Sequence, residues 1–508
     1  MELFTLLLII LTASICLYHF VLSKLTYFER LKIPHIKPIP FLGNLAPVVF
    51  GRMNPMEIQQ KLYNLYPDAK YSGFYMFLKP IFMIHDPELI SIIATKQFDN
   101  FCDHNGFENK SADPMVGKNL FNLQGDHWRE MRRLLTPSFT SSKMKTMFGL
   151  MSQCAENFVN FVATESGKTG KTYNMRDILS RYANDAIATC AFGISVDSFK
   201  YPNNEFFMHG SKALTFDVRT LFRIFMIGCF PRLAKLFKLK TFSPKTEGFF
   251  KDIVVNTVKT RDEQGIVRPD MLQLMMESRN KDSGPKFDID DMTIQAFMFF
   301  SAGFDSVSLA MCFMTHEVGI NPDVQNKLRE EIDDVLRQTN GKPTYESINR
   351  MKYLDAVVNE TLRLYPVSPF TDRVCVKETE LPPATPDGKP IMLKPGDGIM
   401  LPGFSLQRDP KYFPHPDKFD PERFLNGLNV DNSVYMPFGI GPRMCIGNRF
   451  AIMEAKVMLF YLLWHCDLEP DVKTSIPVVL KKRSPFLTAD KGFWLKLRAR
   501  DSKILVTQ

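Results

Sequence analysis

The sequence predicts a mainly α-helical single domain with small β-sheets, joined to one N-terminal membrane helix. Three observations predict it. An apolar run without charge fills Leu3 to Leu22. From about residue 41 onward apolar residues recur at helical spacing, with only a few short strand-like runs such as Ile81 to Ile84. No internal repeat and no low-complexity linker divides that body, so its length belongs to one large domain.

The N-terminal run is 20 residues long, enough to cross a bilayer core as a helix. Only Glu2 precedes it and Ser23-Lys24-Leu25 follows, without the basic start and small-residue exit of a cleaved signal peptide. Residues 1–23 are therefore expected to stay as an anchor. Lys24, Arg30, Lys32 and Lys37 all lie after the span, which by the positive-inside rule leaves the body in the cytosol. Two sequons, Asn109-Lys110-Ser111 and Asn359-Glu360-Thr361, should then stay unglycosylated. Residues 24–40 are basic and carry Pro34, Pro38 and Pro40, which lack backbone donors and predict a stiff extended hinge ahead of the body, residues 41–508.

Hydrophobic residues make up 45% and charged residues 23%, the balance of a chain that folds in water; disorder, collagen-like structure and a many-span membrane protein are excluded. The net charge of +8 is too small over 508 residues to point to nucleic acid. Nine cysteines with no C-x-x-C pair argue against a disulfide framework or structural zinc and fit reduced thiols. From Leu221 to Lys240, Phe222, Phe225, Phe230 and Phe237 interleave with Arg223, Arg232, Lys235, Lys238 and Lys240, and no acid intervenes. That stretch suits either a membrane-surface contact or a helix pair broken at Pro231 with a solvated basic face.

The most specific segment is Pro437-Phe438-Gly439-Ile440-Gly441-Pro442-Arg443-Met444-Cys445-Ile446-Gly447-Asn448-Arg449-Phe450-Ala451. Its glycines and prolines mark a tight loop, and the apolar run from Phe450 through Leu463 at helical spacing follows directly. Cys445 thus falls at or just before a helix N-terminus, where the dipole and free N–H groups favour a thiolate, the form that ligates metal. A dinucleotide loop would need Gly where Met444 stands, and a nucleophilic cysteine would need a positioned His that the neighbourhood lacks. Taken alone, a cysteine is most often an inert buried thiol.

Phe438-x-x-Gly441-x-Arg443-x-Cys445-x-Gly447 resembles the haem-binding signature of the cytochrome P450 family. Trp128-x-x-x-Arg132, Ala302-Gly303-Phe304-Asp305-Ser306, Glu360-x-x-Arg363 and Pro421-Glu422-Arg423-Phe424 resemble its other landmarks, in the family's order. With the anchor and hinge, the chain looks like a microsomal member, most similar to the insect branch near the xenobiotic-metabolising animal enzymes. The resemblance implies a cytochrome P450 fold for 41–508, haem b ligated through iron by Cys445, and a place on the cytosolic face of the endoplasmic reticulum membrane. Thiolate ligation pushes electron density toward bound oxygen and favours O–O cleavage. The implied reaction inserts one atom of molecular oxygen into an apolar substrate. NADPH electrons would arrive through NADPH-cytochrome P450 reductase, with cytochrome b5 as a further candidate partner.

By the same resemblance Trp128, Arg132, Arg373 and Arg443 hold the haem propionates, and His104 stands where related enzymes often carry an Arg for that task. Phe438, Gly439 and Ala302 line the cofactor. Glu360, Arg363 and Arg423 match the family's buried Glu-Arg-Arg cluster. Asp305 and Ser306 match the acid and alcohol that relay protons to iron-bound oxygen, with Ser in place of the commoner Thr. The helix carrying them is expected from Asp290 to Ile320; Gly303 costs it about 1 kcal/mol relative to Ala, and the Ser306 hydroxyl can bond back to the Ala302 carbonyl. Arg129, Arg133, Lys143 and Lys145 would steer an acidic reductase. Substrate would be walled by Asp103 to Asn122, Phe206 to Phe242, Phe297 to Ser306, Val367 to Thr371 and Ser484-Pro485-Phe486. Detoxification, a dedicated hormone, fatty-acid or pheromone step, peroxide rearrangement and a non-catalytic haem sensor all stay open on this reading.

Overall fold

The structure, a computed structural model, describes residues 2–105, 113–214, 220, 223, 226–227, 230–268, 270–279, 287–425, 427, 430–482, 484 and 486–500. The longer helices are α1 (Glu2–Leu25), α2 (Pro55–Leu65), α3 (Gly125–Leu135), α4 (Ser141–Ser166), α5 (Met175–Ile187), α6 (Glu205–Ala213), α7 (Pro244–Gln264), α8 (Met271–Arg279), α9 (Ile289–Ile320), α10 (Pro322–Gln338), α11 (Lys352–Leu364) and α12 (Asn448–His465). Their starts follow local chemistry. Asn54 and Glu57 close a capping box on α2, and the Asp288 side chain caps α9 by accepting from Asp291 N at 2.6 Å.

Among the described residues, nine strands form three small sheets. β1 (Tyr71–Met76), β2 (Lys79–Ile84), β7 (Gly398–Leu401) and β4 (Thr371–Val374) lie side by side in that order; β3 (Lys171–Asn174), β9 (Trp494–Ala499) and β8 (Cys466–Pro470) make the second; β5 (Thr379–Leu381) and β6 (Ile391–Leu393) pair alone. One large core surrounds α9, and a second lies around the first sheet. Mainly α with small sheets is what the periodicity predicts.

Two helices among the described residues are long and apolar enough to cross a bilayer. α9 is the centre of the main core and its most apolar window is 61% buried, whereas that of Phe4–Leu25 is 7% buried, with Phe4, Leu6, Leu7, Leu8, Ile9, Leu11 and Ile15 exposed.

The hinge departs from the expectation of an extended stand-off. α1 runs on to Leu25 and Tyr27–Arg30 makes another helical turn, so extended chain begins near Ile33. Val21, Leu25, Phe28 and Ile33 are buried in the core of the first sheet. Phe28 occupies the space that Gly73 leaves, where an added Cβ would lie 2.3 Å from the ring, and Gly73 N donates to Pro34 O at 2.8 Å. Apolar residues in the hinge outweigh its prolines, and the connector docks.

The sequon at Asn359 cannot report on topology. Its amide donates to Asp355 O at 2.8 Å, its Oδ1 accepts from the Tyr435 hydroxyl at 2.9 Å, and Thr361 is buried. Asn109 lies outside the described residues.

Candidate functional site

The cysteine loop is held from below by backbone bonds. Cys445 N donates to Phe438 O at 2.9 Å, and Gly441 takes φ +73°, where a Cβ would sit 2.0 Å from Ala94 O. Only glycine allows that approach. The loop ends as expected at a helix start, α12. Burial raises the Cys445 thiol above its ordinary value, and the Gly447 N–H and the Arg132 charge oppose that rise; a coordinated cation would favour the thiolate further.

Arg132 answers that contact. Burial lowers its guanidinium, the Cys445 sulfur raises it, and its side chain has no ion pair among the described residues. Arg443 is gripped by protein: Nε donates to Cys102 O at 2.6 Å, Nη2 to Asp103 Oδ1 at 3.1 Å and to Leu123 O at 2.9 Å, and the guanidinium stacks 4.0 Å from the Trp128 ring. Arg373 is wholly buried, with Nη2 on Ile440 O at 2.9 Å and Nη1 on Asp372 O at 2.7 Å. Burial lowers both guanidinium groups to about 10. Each keeps one buried nitrogen without a partner, Arg373 Nε and Arg443 Nη1. His104 turns Nδ1 toward Asp372 Oδ1 at 2.9 Å and stacks on Phe121. Burial pushes Asp372 up, but the His104 contact brings it below its ordinary value.

Unpaired Arg donors at Arg132, Arg373 and Arg443 converge on the same loop that carries a sulfur donor, which is the donor set an anionic, iron-centred macrocycle needs. Cys445 and Ala302, the latter in the middle of α9, both keep exposed surface. The residues fit haem.

α9 carries the expected Ala302 to Ser306 turn. The Ser306 hydroxyl donates to Ala302 O, and Asp305 is ion-paired with Arg176 in the first turn of α5. Arg176 Nη1 also donates to Ser308 Oγ at 2.9 Å. Gly303 has a packing reason, since a Cβ there would lie 3.1 Å from Ile187 of α5.

Glu360, Arg363 and Arg423 do meet. Arg363 Nε and Nη2 grip the two Glu360 oxygens at 2.7 and 2.9 Å, and Arg423 Nε donates to Oε1 at 3.1 Å. Sequence reasoning missed Gln407, whose backbone oxygen accepts from Arg363 Nη1 at 2.9 Å and whose buried side chain joins Arg363 O to Met436 N. Gln407 ties the cluster to the chain entering the cysteine loop. Arg176 and Asp103 were missed too, since nothing local marks them.

Two surface expectations change. Arg129 is taken by Asp99 and Asp126, and Lys145 by Glu346, so Arg133 and Lys143 are the cations of that set without ion pairs among the described residues. Of the proposed substrate wall, Phe206, Phe297 and Phe300 pack on one another and on Phe250 at ring separations of 4.8 to 6.4 Å, as core. Phe121 and Phe486 stay exposed. Parts of the wall (106–112, most of 215–229, and Pro485) and Phe222 and Phe225 lie outside the described residues.

A family model described as Cytochrome P450 matches residues 33–497. Among curated relatives, Cytochrome P450 9e2 of Blattella germanica is 45% identical over 94% of each chain. Probable cytochrome P450 9h1 of Drosophila melanogaster is 37% identical over 96% of this chain and 97% of the relative. Cytochrome P450 6j1 of Blattella germanica is 36% identical over 97% of each. The similarity to insect members expected from the motifs is what these relatives show.

Proposed function

The chain belongs to the cytochrome P450 family of monooxygenases, and on that premise we propose that it oxidises small apolar molecules, foreign compounds or endogenous lipids, with NADPH electrons delivered by a flavoprotein reductase. The family's cofactor is haem on a cysteine thiolate, which activates molecular oxygen when bound. Cys445 is the ligand, Arg132, Arg373 and Arg443 would hold the propionates through the donors described above, and Trp128 would join them beside Arg443, whose guanidinium stacks on its ring. His104 orients Asp372 beside them. The Ser306 hydroxyl holds a proton at Oγ bonded to the Ala302 carbonyl, and the adjacent residue Asp305 would pass protons toward it while its carboxylate is fixed by Arg176.

Anchoring at the endoplasmic reticulum, with the catalytic body in the cytosol, is supported by α1 and by the basic residues after it. Phe230, Leu233, Leu236 and Phe237 are exposed beside Arg232, Lys235 and Lys238 around the short helix Pro231–Leu236, which supports a second lipid contact.

The observation that carries the reading is Cys445 held in a tight glycine loop at the start of α12, beside Arg373 and Arg443, each of which keeps a buried nitrogen donor without a partner among the described residues. The test is the carbon monoxide difference spectrum of the reduced protein in membranes. A thiolate-type band supports it; a histidine-type band, or none, overturns it. NADPH consumption with reductase then separates an oxygenase from a haem-binding sensor.

A further inference from the structure

A cavity of about 330 Å³ lies between α6 and the start of α7, at the small end of the range for small-molecule sites. Three cations line it, Lys212, Arg223 and Lys245, and none has an ion pair among the described residues. One carboxylate, Glu205, also lines it. Glu247, the other acid at the start of α7, is taken by Lys240 at 2.8 Å and does not neutralise the site. The first turn of α7 lines the cavity through Ser243 to Thr246 and adds to the positive potential.

The remaining wall is mixed: Asn203, His209, Thr220 and Thr241 are polar, and Met208, Ala213 and Phe242 form its apolar part. The Phe242 ring packs edge-on against Phe297 of α9 at 4.8 Å. That wall is fixed, because Asp113 Oδ2 accepts from the backbone N–H groups of Thr241 and Phe242 at 3.0 and 3.2 Å.

We propose that this cavity seats the anionic head of an amphiphile, a carboxylate or phosphate carried on an apolar tail. The three cations hold the head, and Met208 and Phe242 receive the first carbons of the tail. Neutral molecules of the same length lack the charged contacts and bind more weakly. Such a ligand can come from two sources, a free fatty acid or an acidic phospholipid of the surrounding membrane.

The full-length protein in phosphatidylcholine nanodiscs distinguishes them. Radiolabelled dodecanoate and dodecanol are titrated by equilibrium binding, and a photoactivatable phosphatidate in the same discs is cross-linked and mapped. Saturable dodecanoate binding that weakens about tenfold in Lys212→Glu/Lys245→Glu, with dodecanol unchanged, supports a free fatty acid. Cross-linking of phosphatidate to this cavity that the same variant abolishes, without dodecanoate binding, supports a membrane lipid. Glu205→Gln removes the opposing charge and is expected to tighten binding severalfold, a gain that misfolding cannot imitate. Binding indifferent to both substitutions, or no saturable binding of either anionic probe, overturns the proposal.

Discussion

Arg176, in the first turn of α5, holds the carboxylate of Asp305 in the middle of α9 while also donating to Ser308 Oγ at 2.9 Å. The acid beside the Ser306 hydroxyl is therefore clamped by a cation on a neighbouring helix, half-buried on both sides. Arg176→Ala should leave the haem spectrum intact and lower turnover, by at most about 10²-fold, because the carboxylate loses its orientation. Arg176→Lys should recover part of the loss. Turnover in Arg176→Ala equal to wild type would mean that Asp305 needs no clamp.

The Ser306 hydroxyl is bonded back to the Ala302 carbonyl, and serine lacks the β-branch that would restrict its rotamers. Ser306→Thr should raise the ratio of product formed to NADPH consumed and reduce peroxide release. An unchanged ratio in a stoichiometry assay would show that the rotamer of this hydroxyl does not limit proton delivery.

Glu360 Oε1 accepts from Arg363, Arg423 and Asp420 N together. Removing Arg363 strands a buried carboxylate at a cost on the order of 3 to 5 kcal/mol. Arg363→Ala is expected to yield protein without haem, measured as haem per polypeptide after purification. Gln407→Ala, which cuts the tie to Met436 N, should lower haem content in the same assay while leaving the Glu360–Arg363 pair in place.

His85 is buried, and its Nε2 lies 2.8 Å from Ser72 Oγ. Burial lowers its pKa from 6.5 to about 4, with a smaller opposing effect of a backbone bond. The unfolded chain binds the proton first as pH falls, so this contribution is complete above pH 6.5 and is lost between pH 6.5 and about 4. The loss is roughly 3 kcal/mol from this one residue. Denaturant unfolding at stepped pH checks it: His85→Leu should flatten the decline across that window.

Among the described residues Arg133 and Lys143 have no ion pair, whereas Arg129 and Lys145 are paired. If docking of the reductase is electrostatic, rising salt slows the first electron transfer, and Arg133→Glu slows it more than Arg129→Glu does. Stopped-flow reduction under carbon monoxide measures both. Rates insensitive to salt would remove this face from the docking reading.

Features that depend on residues close in sequence were legible before any coordinates. The N-terminal apolar helix, the α9 boundaries to within one residue, the Glu360–Arg363 pair three positions apart and the cysteine loop all rest on local spacing. Pairings that close only in three dimensions were not. Arg176 reaches Asp305 across 129 positions and Arg443 reaches Cys102 across 341, and no periodicity records either. Composition misled in two places. Phenylalanines that promised a substrate wall stack mainly on each other, and the prolines of the hinge concealed aromatic and aliphatic residues that bind it to the sheet.

Phe28 filling the space beside Gly73 sets where this protein can be cut. A truncation made at the end of the apolar run, after Leu22, removes Val21 from the core of the first sheet, and one made after Leu25 removes Leu25 as well. Either strips part of the cover that Val21, Leu25, Phe28 and Ile33 make over the first sheet, with apolar surface newly facing water and a tendency to self-associate. A soluble version needs polar substitutions on the part of α1 that remains, chosen to spare Val21 and Leu25, rather than a shorter chain.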